Sequence, residues 1–157
     1  MQDHQQRTDG AVPTRIGQAA MLLHGGDREE ARNRLRALWD QLGADGDPLH
    51  RCTLARYMAD AQDDPDDELA WDLRALSAAE GAGGEPSARS AAAVALRALR
   101  PSLHLDVAAD YLALRRPDAA RTHLDRARAA SGALDDDRYG SGVRAAIERL
   151  ERRLGGI

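Results

Sequence analysis

Four side chains in this sequence form the one collection with types that bind transition metals: His50 and Cys52 flanking Arg51, then His104 and His123 far downstream. His50 and Cys52 stand two residues apart, so on a helix they point in different directions. Neither CxxC nor HxxxH spacing occurs, and the set predicts ordinary packing rather than a metal centre. A nucleophilic Cys52 would need a partner that lowers its pKa. His50 is its neighbour in sequence only, and a free cysteine commonly serves as a small buried hydrophobe. The acidic run Asp63-Asp64-Pro65-Asp66-Asp67-Glu68 lacks the glycine and spaced ligands of a calcium loop. Acids at a helix start are accounted for by capping and the helix dipole, and Asp135-Asp136-Asp137 reads the same way. Gly25-Gly26-Asp27 opens a helix without the Lys and Ser/Thr of a phosphate loop. The expectation is no catalysis, no metal and no cofactor.

The elements that would position these residues are helices. Of 157 residues, 43% are hydrophobic and only 3% aromatic, with no Phe, so the core must be built from Leu, Ala, Val and Ile. Ala and Leu favour helix, and the composition predicts an all-α fold. The net charge is −4, and every basic residue other than histidine is Arg. The arginines alternate with acids, as in Arg115, Arg116, Asp118, Arg121, Asp125 and Arg126, which predicts a solvated, salt-laced face and no nucleic-acid partner. One cysteine excludes an intrachain disulfide. No stretch has signal-peptide or membrane-span character, so a cytoplasmic protein without a membrane partner is expected.

Prolines 48, 65, 86, 101 and 117 each precede a helical pattern, where the missing N–H costs least. These marks predict eight helices, near 14–24, 28–42, 48–61, 65–80, 87–99, 101–114, 117–131 and 137–154. Residues 1–12 read as a disordered tail, 13–157 as one domain, and 81–84 as the loosest internal segment. Asp47 and Asp64 are expected N-caps, and Asp27 with Glu30 has capping-box spacing. The last helix carries Val143, Ile147, Leu150 and Leu154 on one face, a stripe suited to closing a stack. Trp39 and Trp71 occupy similar places in their helices and are expected to pack in the core.

One segment occurs twice. Residues 22–35 align without a gap on residues 111–124: an apolar helix end, a tight turn, then Ala31, Arg32 and Leu35 against Ala120, Arg121 and Leu124. Apolar stripes Ala31, Leu35, Leu38; Leu69, Leu73, Leu76; and Ala120, Leu124, Ala127 follow the same spacing. With Ala19 and Leu22, Leu54 and Tyr57, and Ala108 and Tyr111 in the preceding helices, the pattern resembles tetratricopeptide repeats. The resemblance implies an α-solenoid of about three helix-turn-helix units, with one inserted helix at 87–99 and a C-terminal capping helix.

That family resemblance implies a non-enzymatic adaptor or scaffold that binds a protein or peptide, a second copy of the chain included, in a concave groove. The positions matching the groove are Arg51, Ala55, Met58, Leu105, Ala109 and Leu112. Most are apolar and the carboxylate-gripping cations of some members are missing, so an apolar helix or hydrophobic peptide is the expected occupant. The alternative is a small-molecule-binding helical domain or accessory subunit, with the inserted helix as one wall of a pocket.

Overall fold

A computed structural model describes residues 2–81 and 90–156, with side chains from residue 11 onward. The described residues are helical throughout their regular structure: α1 Gln2–His24, α2 Arg28–Leu42, α3 Pro48–Asp60, α4 Pro65–Gly81, α5 Ala91–Ala113, α6 Pro117–Ala130 and α7 Arg138–Gly155, with a short 3-10 turn at Ser131–Ala133. None of these helices is long and apolar enough to cross a membrane.

Each helix packs on the next, and α1, α3, α5 and α7 also touch in series. The hairpins α1–α2, α3–α4 and α5–α6 therefore lie side by side, with α7 against α5 and α6. Two apolar cores result. The larger joins Ile16, Leu35, Leu54, Trp71, Leu76 and Leu103 with their neighbours, and the smaller joins Ala108, Leu124, Leu134, Ile147 and Leu154. Trp39 and Trp71 meet edge to face at 5.2 Å, each capped by an arginine, Arg51 and Arg74, at 4.2 Å from the ring centre. The stripe Val143, Ile147, Leu150 and Leu154 is buried as the sequence required.

The repeated segment is repeated in three dimensions. In the first turn the Asp27 N–H donates to the Leu22 carbonyl at 2.9 Å and the Gly26 N–H to Leu23 at 3.2 Å. In the second, Arg116 donates to Tyr111 at 2.9 Å and Arg115 to Leu112 at 3.0 Å. These are equivalent positions, and both turns are Schellman closures of a helix C-terminus. Such a closure needs a left-handed residue, supplied by Gly26 at φ 91° and by Arg115 at φ 61°. Arginine adopts that conformation at a cost that glycine avoids. Arg115→Gly is therefore expected to stabilise the protein by up to ~1 kcal/mol, read as a higher denaturant midpoint with an unchanged slope.

The repeated arginines also have matching work. Arg32 donates to the Ala61 carbonyl at 3.0 Å, just past the end of α3. Arg121 donates to the Leu154 carbonyl at 3.2 Å, near the end of α7. Each second helix thus neutralises the carbonyl end of the helix that follows it, where the helix dipole is negative.

Four expectations need correction. The helices expected at 87–99 and 101–114 are one continuous helix from Ala91, with Pro101 inside it and fully buried. Proline there forfeits one backbone bond, while burial of Leu96, Pro101, Leu103 and Val107 holds the two halves in line. Its start is set by Ser90, whose Oγ accepts from the Ala93 N–H; expected residues 87–89, and most of the 81–84 segment, lie outside the described residues. The first helix is longer than 14–24, because Val12 continues the buried stripe of Ile16, Ala19 and Leu23. Ordered packing therefore begins before the boundary set at residue 13. The capping box at Asp27 does not form, since its side chain accepts no capping bond in the tight turn. Asp47 does cap α3, and Asp137 caps α7.

Candidate functional site

The six residues expected to share a groove do not share one surface. Ala55 and Met58 are 0% and 3% exposed and belong to the larger core, so no partner can reach them. Leu105 and Leu112 are half-buried against the smaller core, and Ala109 is exposed. Arg51 lies elsewhere, over Trp39 and donating to the Gly43 carbonyl. It borders a cleft of about 490 Å³ formed by residues 44–49, the end of α4 and the start of α5, Ala93 and Leu96 included. Ala55 and Met58 lie on the inward apolar face of α3, while Arg51 stands in its first turn beside the cleft.

The other face of α3 is the one left open. Thr53, Arg56, Tyr57 and Asp60 lie at i, i+3, i+4 and i+7, one stripe along the helix. With Leu99 and Asp106 of α5 they line a cavity of about 360 Å³. Arg56 Nη2 donates to Asp106 Oδ2 at 3.1 Å across the cavity. Burial raises the pKa of Asp106, and Arg56 opposes that rise. Burial likewise raises Asp60. Glu68 is raised by burial and then by the charges of Asp60 and Asp106, which places it in the same field. The groove lining thus holds one guanidinium, Arg56, against two carboxylates, Asp60 and Asp106, with Arg28 acting on Asp60 from beyond it, and its own balance is acidic by one charge.

Behind this wall, α4 and α5 bring three carboxylates together. One oxygen each from Glu68, Asp72 and Asp110 lies within 4.8 Å of the other two. Glu68 and Asp72 are one helical turn apart on α4, and Asp110 meets them from α5. Asp72 and Asp110 are 5% and 7% exposed. Neither they nor Glu68 makes an ion pair among the described residues, and Asp110 Oδ2 is buried without a hydrogen-bond donor. At this separation two bare carboxylates repel by about 3 kcal/mol at an effective dielectric of 20. Burial, the mutual contact and the surrounding acids accordingly raise Asp72 to about 10, and burial with Glu68 and Asp106 nearby raises Asp110 to about 6. Sequence reading assigned Glu68 to helix capping and missed the other two. The available signal was an aspartate inside each buried stripe, Asp72 between Leu69 and Leu76 and Asp110 between Val107 and Leu114.

The histidines and the cysteine resolve differently. His104 and His123 meet in the interior with Nδ1 atoms 3.1 Å apart, one donating and one accepting. Burial lowers both pKa values, and for His104 the neighbouring His123 adds to the effect. The pair is neutral and packed, stacked by Tyr111 at 5.6 Å from His123. No grouping with metal-binding spacing among the described residues includes His50, Cys52, His104 or His123. Cys52 is fully buried, and burial pushes its thiol up to about 11. A thiol in that state is a poor nucleophile. The expected result is no reaction with a disulfide reagent at pH 8 in the native protein and one equivalent after unfolding; rapid native labelling would contradict the burial. Compared with protein-family models, with curated proteins and with solved structures, the chain has no match.

Proposed function

We propose that the chain is a non-enzymatic, tetratricopeptide-like scaffold that binds a basic peptide or helix in the groove between α3 and α5. The observation that carries the reading is the open stripe Thr53, Arg56, Tyr57 and Asp60 facing Leu99 and Asp106. Side-by-side hairpins whose first helices touch in series favour a repeat scaffold, and such scaffolds act through the surface their first helices form. The acidic balance of the groove favours Lys or Arg side chains on the occupant, and Tyr57 supplies a face on which a guanidinium can stack. The occupant is thus polar and cationic rather than the hydrophobic peptide expected from sequence.

The test is selection of short peptides displayed on phage against the full chain. Selected peptides should be rich in Lys and Arg and lose at least ~10-fold in affinity on Asp60→Arg, a change at an exposed position. Peptides without basic enrichment, or indifferent to Asp60→Arg, would sink the assignment. Met58→Asp is unsuitable as a probe because it places a charge in the core.

A second reading, a small-molecule site, is favoured by the cleft of about 490 Å³ beside Arg51. Ala92, Ala93 and Leu96 of α5 form one wall of it, and its volume is of ligand-pocket size. A thermal-shift screen separates the readings, since a ligand there should be lost on Ala93→Trp and spared by Asp60→Arg.

A further inference from the structure

Three oxygens from two helices converge at Glu68, Asp72 and Asp110. Two ligand oxygens on one cation stand at most twice the bond length apart, about 4.2 Å for Mg²⁺ and about 4.6–5.2 Å for a larger hard cation such as Ca²⁺, and these three lie within 4.8 Å of one another. The donor set is oxygen only, with no imidazole or thiolate, which suits a hard cation and not zinc. A second observation points the same way. Asp110 is 93% shielded, its side chain faces the cluster, and its Oδ2 has no donor among the described residues. A buried acceptor of that kind requires a partner. The guanidinium whose charge reaches Glu68, Arg28, is already engaged by Asp63 at 3.2 Å.

We propose that Glu68, Asp72 and Asp110 form a binding site for a hard divalent cation that ties α4 to α5. The half-exposed Glu68 stands at the outer edge of the site and Asp72 and Asp110 form its floor. Glu68 and Asp72 hold one side from successive turns of α4, and Asp110 closes the other from α5. Remaining coordination positions are taken by water, as is usual for such ions. The site does not depend on the groove reading, because no groove occupant takes part in it.

The experiment uses the full chain stripped with a chelator and then titrated with Mn²⁺ alone at pH 8. Loss of the free-ion resonance signal reads binding, and a thermal melt reads its effect on the fold. One equivalent should bind saturably and raise the melting temperature, and Ca²⁺ should displace it. Asp110→Asn and Glu68→Gln should each weaken binding by about 10-fold or more. Asp67→Asn, in the exposed acidic run, should leave it unchanged. Far-UV circular dichroism identifies any variant that fails to fold, and Glu68→Gln, at a half-exposed position, keeps the test open in that event. Absence of saturable binding overturns the proposal and identifies the cluster as carboxyls sharing a proton. Equal binding by parent and both ligand variants also overturns it, by placing the ion on another surface.

Discussion

Gly140→Ala is expected to destabilise the protein by about 3 kcal/mol, while Gly142→Ala, two residues on, should stabilise it by about 0.5–1 kcal/mol. Both glycines lie in the first turn and a half of α7, where alanine is the better helix former. Their surroundings differ. A methyl on Gly140 would overlap the Asp135 carbonyl oxygen and approach Asp137, whose carboxylate caps α7 by accepting the Gly140 N–H at 2.7 Å. Relief would require moving the segment that carries Leu134, a member of the smaller core whose carbonyl accepts from Arg144 at 3.1 Å. Nothing stands within 4 Å of a methyl on Gly142. For a domain of this length the Gly140 change should lower the melting temperature by roughly 6–12 °C. Equal shifts of the same sign in the two variants would show that α7 is not closed by this contact. Removal of the helix from Arg144 onward should have a still broader effect and yield a product that melts without cooperativity, because Ile147, Leu150 and Leu154 leave the smaller core together.

The second large effect is a gain. With divalent ions removed, Asp72→Asn should stabilise the protein at pH 8 by at least ~2 kcal/mol and by much less at pH 5. Burial raises Asp72 to about 10 and Asp110 to about 6 in the folded state, against about 3.9 in an unfolded chain. The folded protein therefore holds these protons more tightly, so folding is favoured at low pH and loses ground as pH rises above about 4. The loss continues through the Asp110 range and up to that of Asp72. Glu68 from α4, and Asp106 from α5, both add negative charge at the pair. Arg56 from α3 is held by Asp106. Asparagine at position 72 keeps the shape and can donate to Asp110, while removing the ionisation that opposes folding. Parallel pH profiles for parent and variant would contradict the burial cost. The histidine pair acts in the opposite sense: both pKa values are lowered, so its contribution fades as pH falls below about 6.5.

Local chemistry made much of this fold legible. Gly25-Gly26-Asp27 and Arg115-Arg116-Pro117 announced the two hairpin turns because a helix can end there in few ways. Their shared Ala, Arg and Leu then located both crossings. Pro101 misled for the same local reason. Its ring favours a helix start, but packing of Leu96 and Leu103 on either side outweighed the single bond it forfeits. The groove was assigned one stripe away from the open face of α3. Met58 and Ala55 share a spacing that fits a groove or a core equally well, and only the packing of α3 on α4 decides between them. The carboxylate cluster joins Glu68 and Asp72 to Asp110, 38 positions or more further along the chain. No local spacing announces such a meeting; the clue was an acid inside an apolar stripe, which has to be answered from another helix.

Helix α5 belongs to both cores: Leu96, Leu103 and Val107 to the larger, and Ala108 to the smaller, with Tyr111 packed against each. Among the described residues, the segment from Pro117 onward is joined to the rest of the molecule chiefly through α5. It can open as a unit while the five preceding helices keep their packing, so amide protons of α6 and α7 should exchange together and sooner than those of α3 and α4.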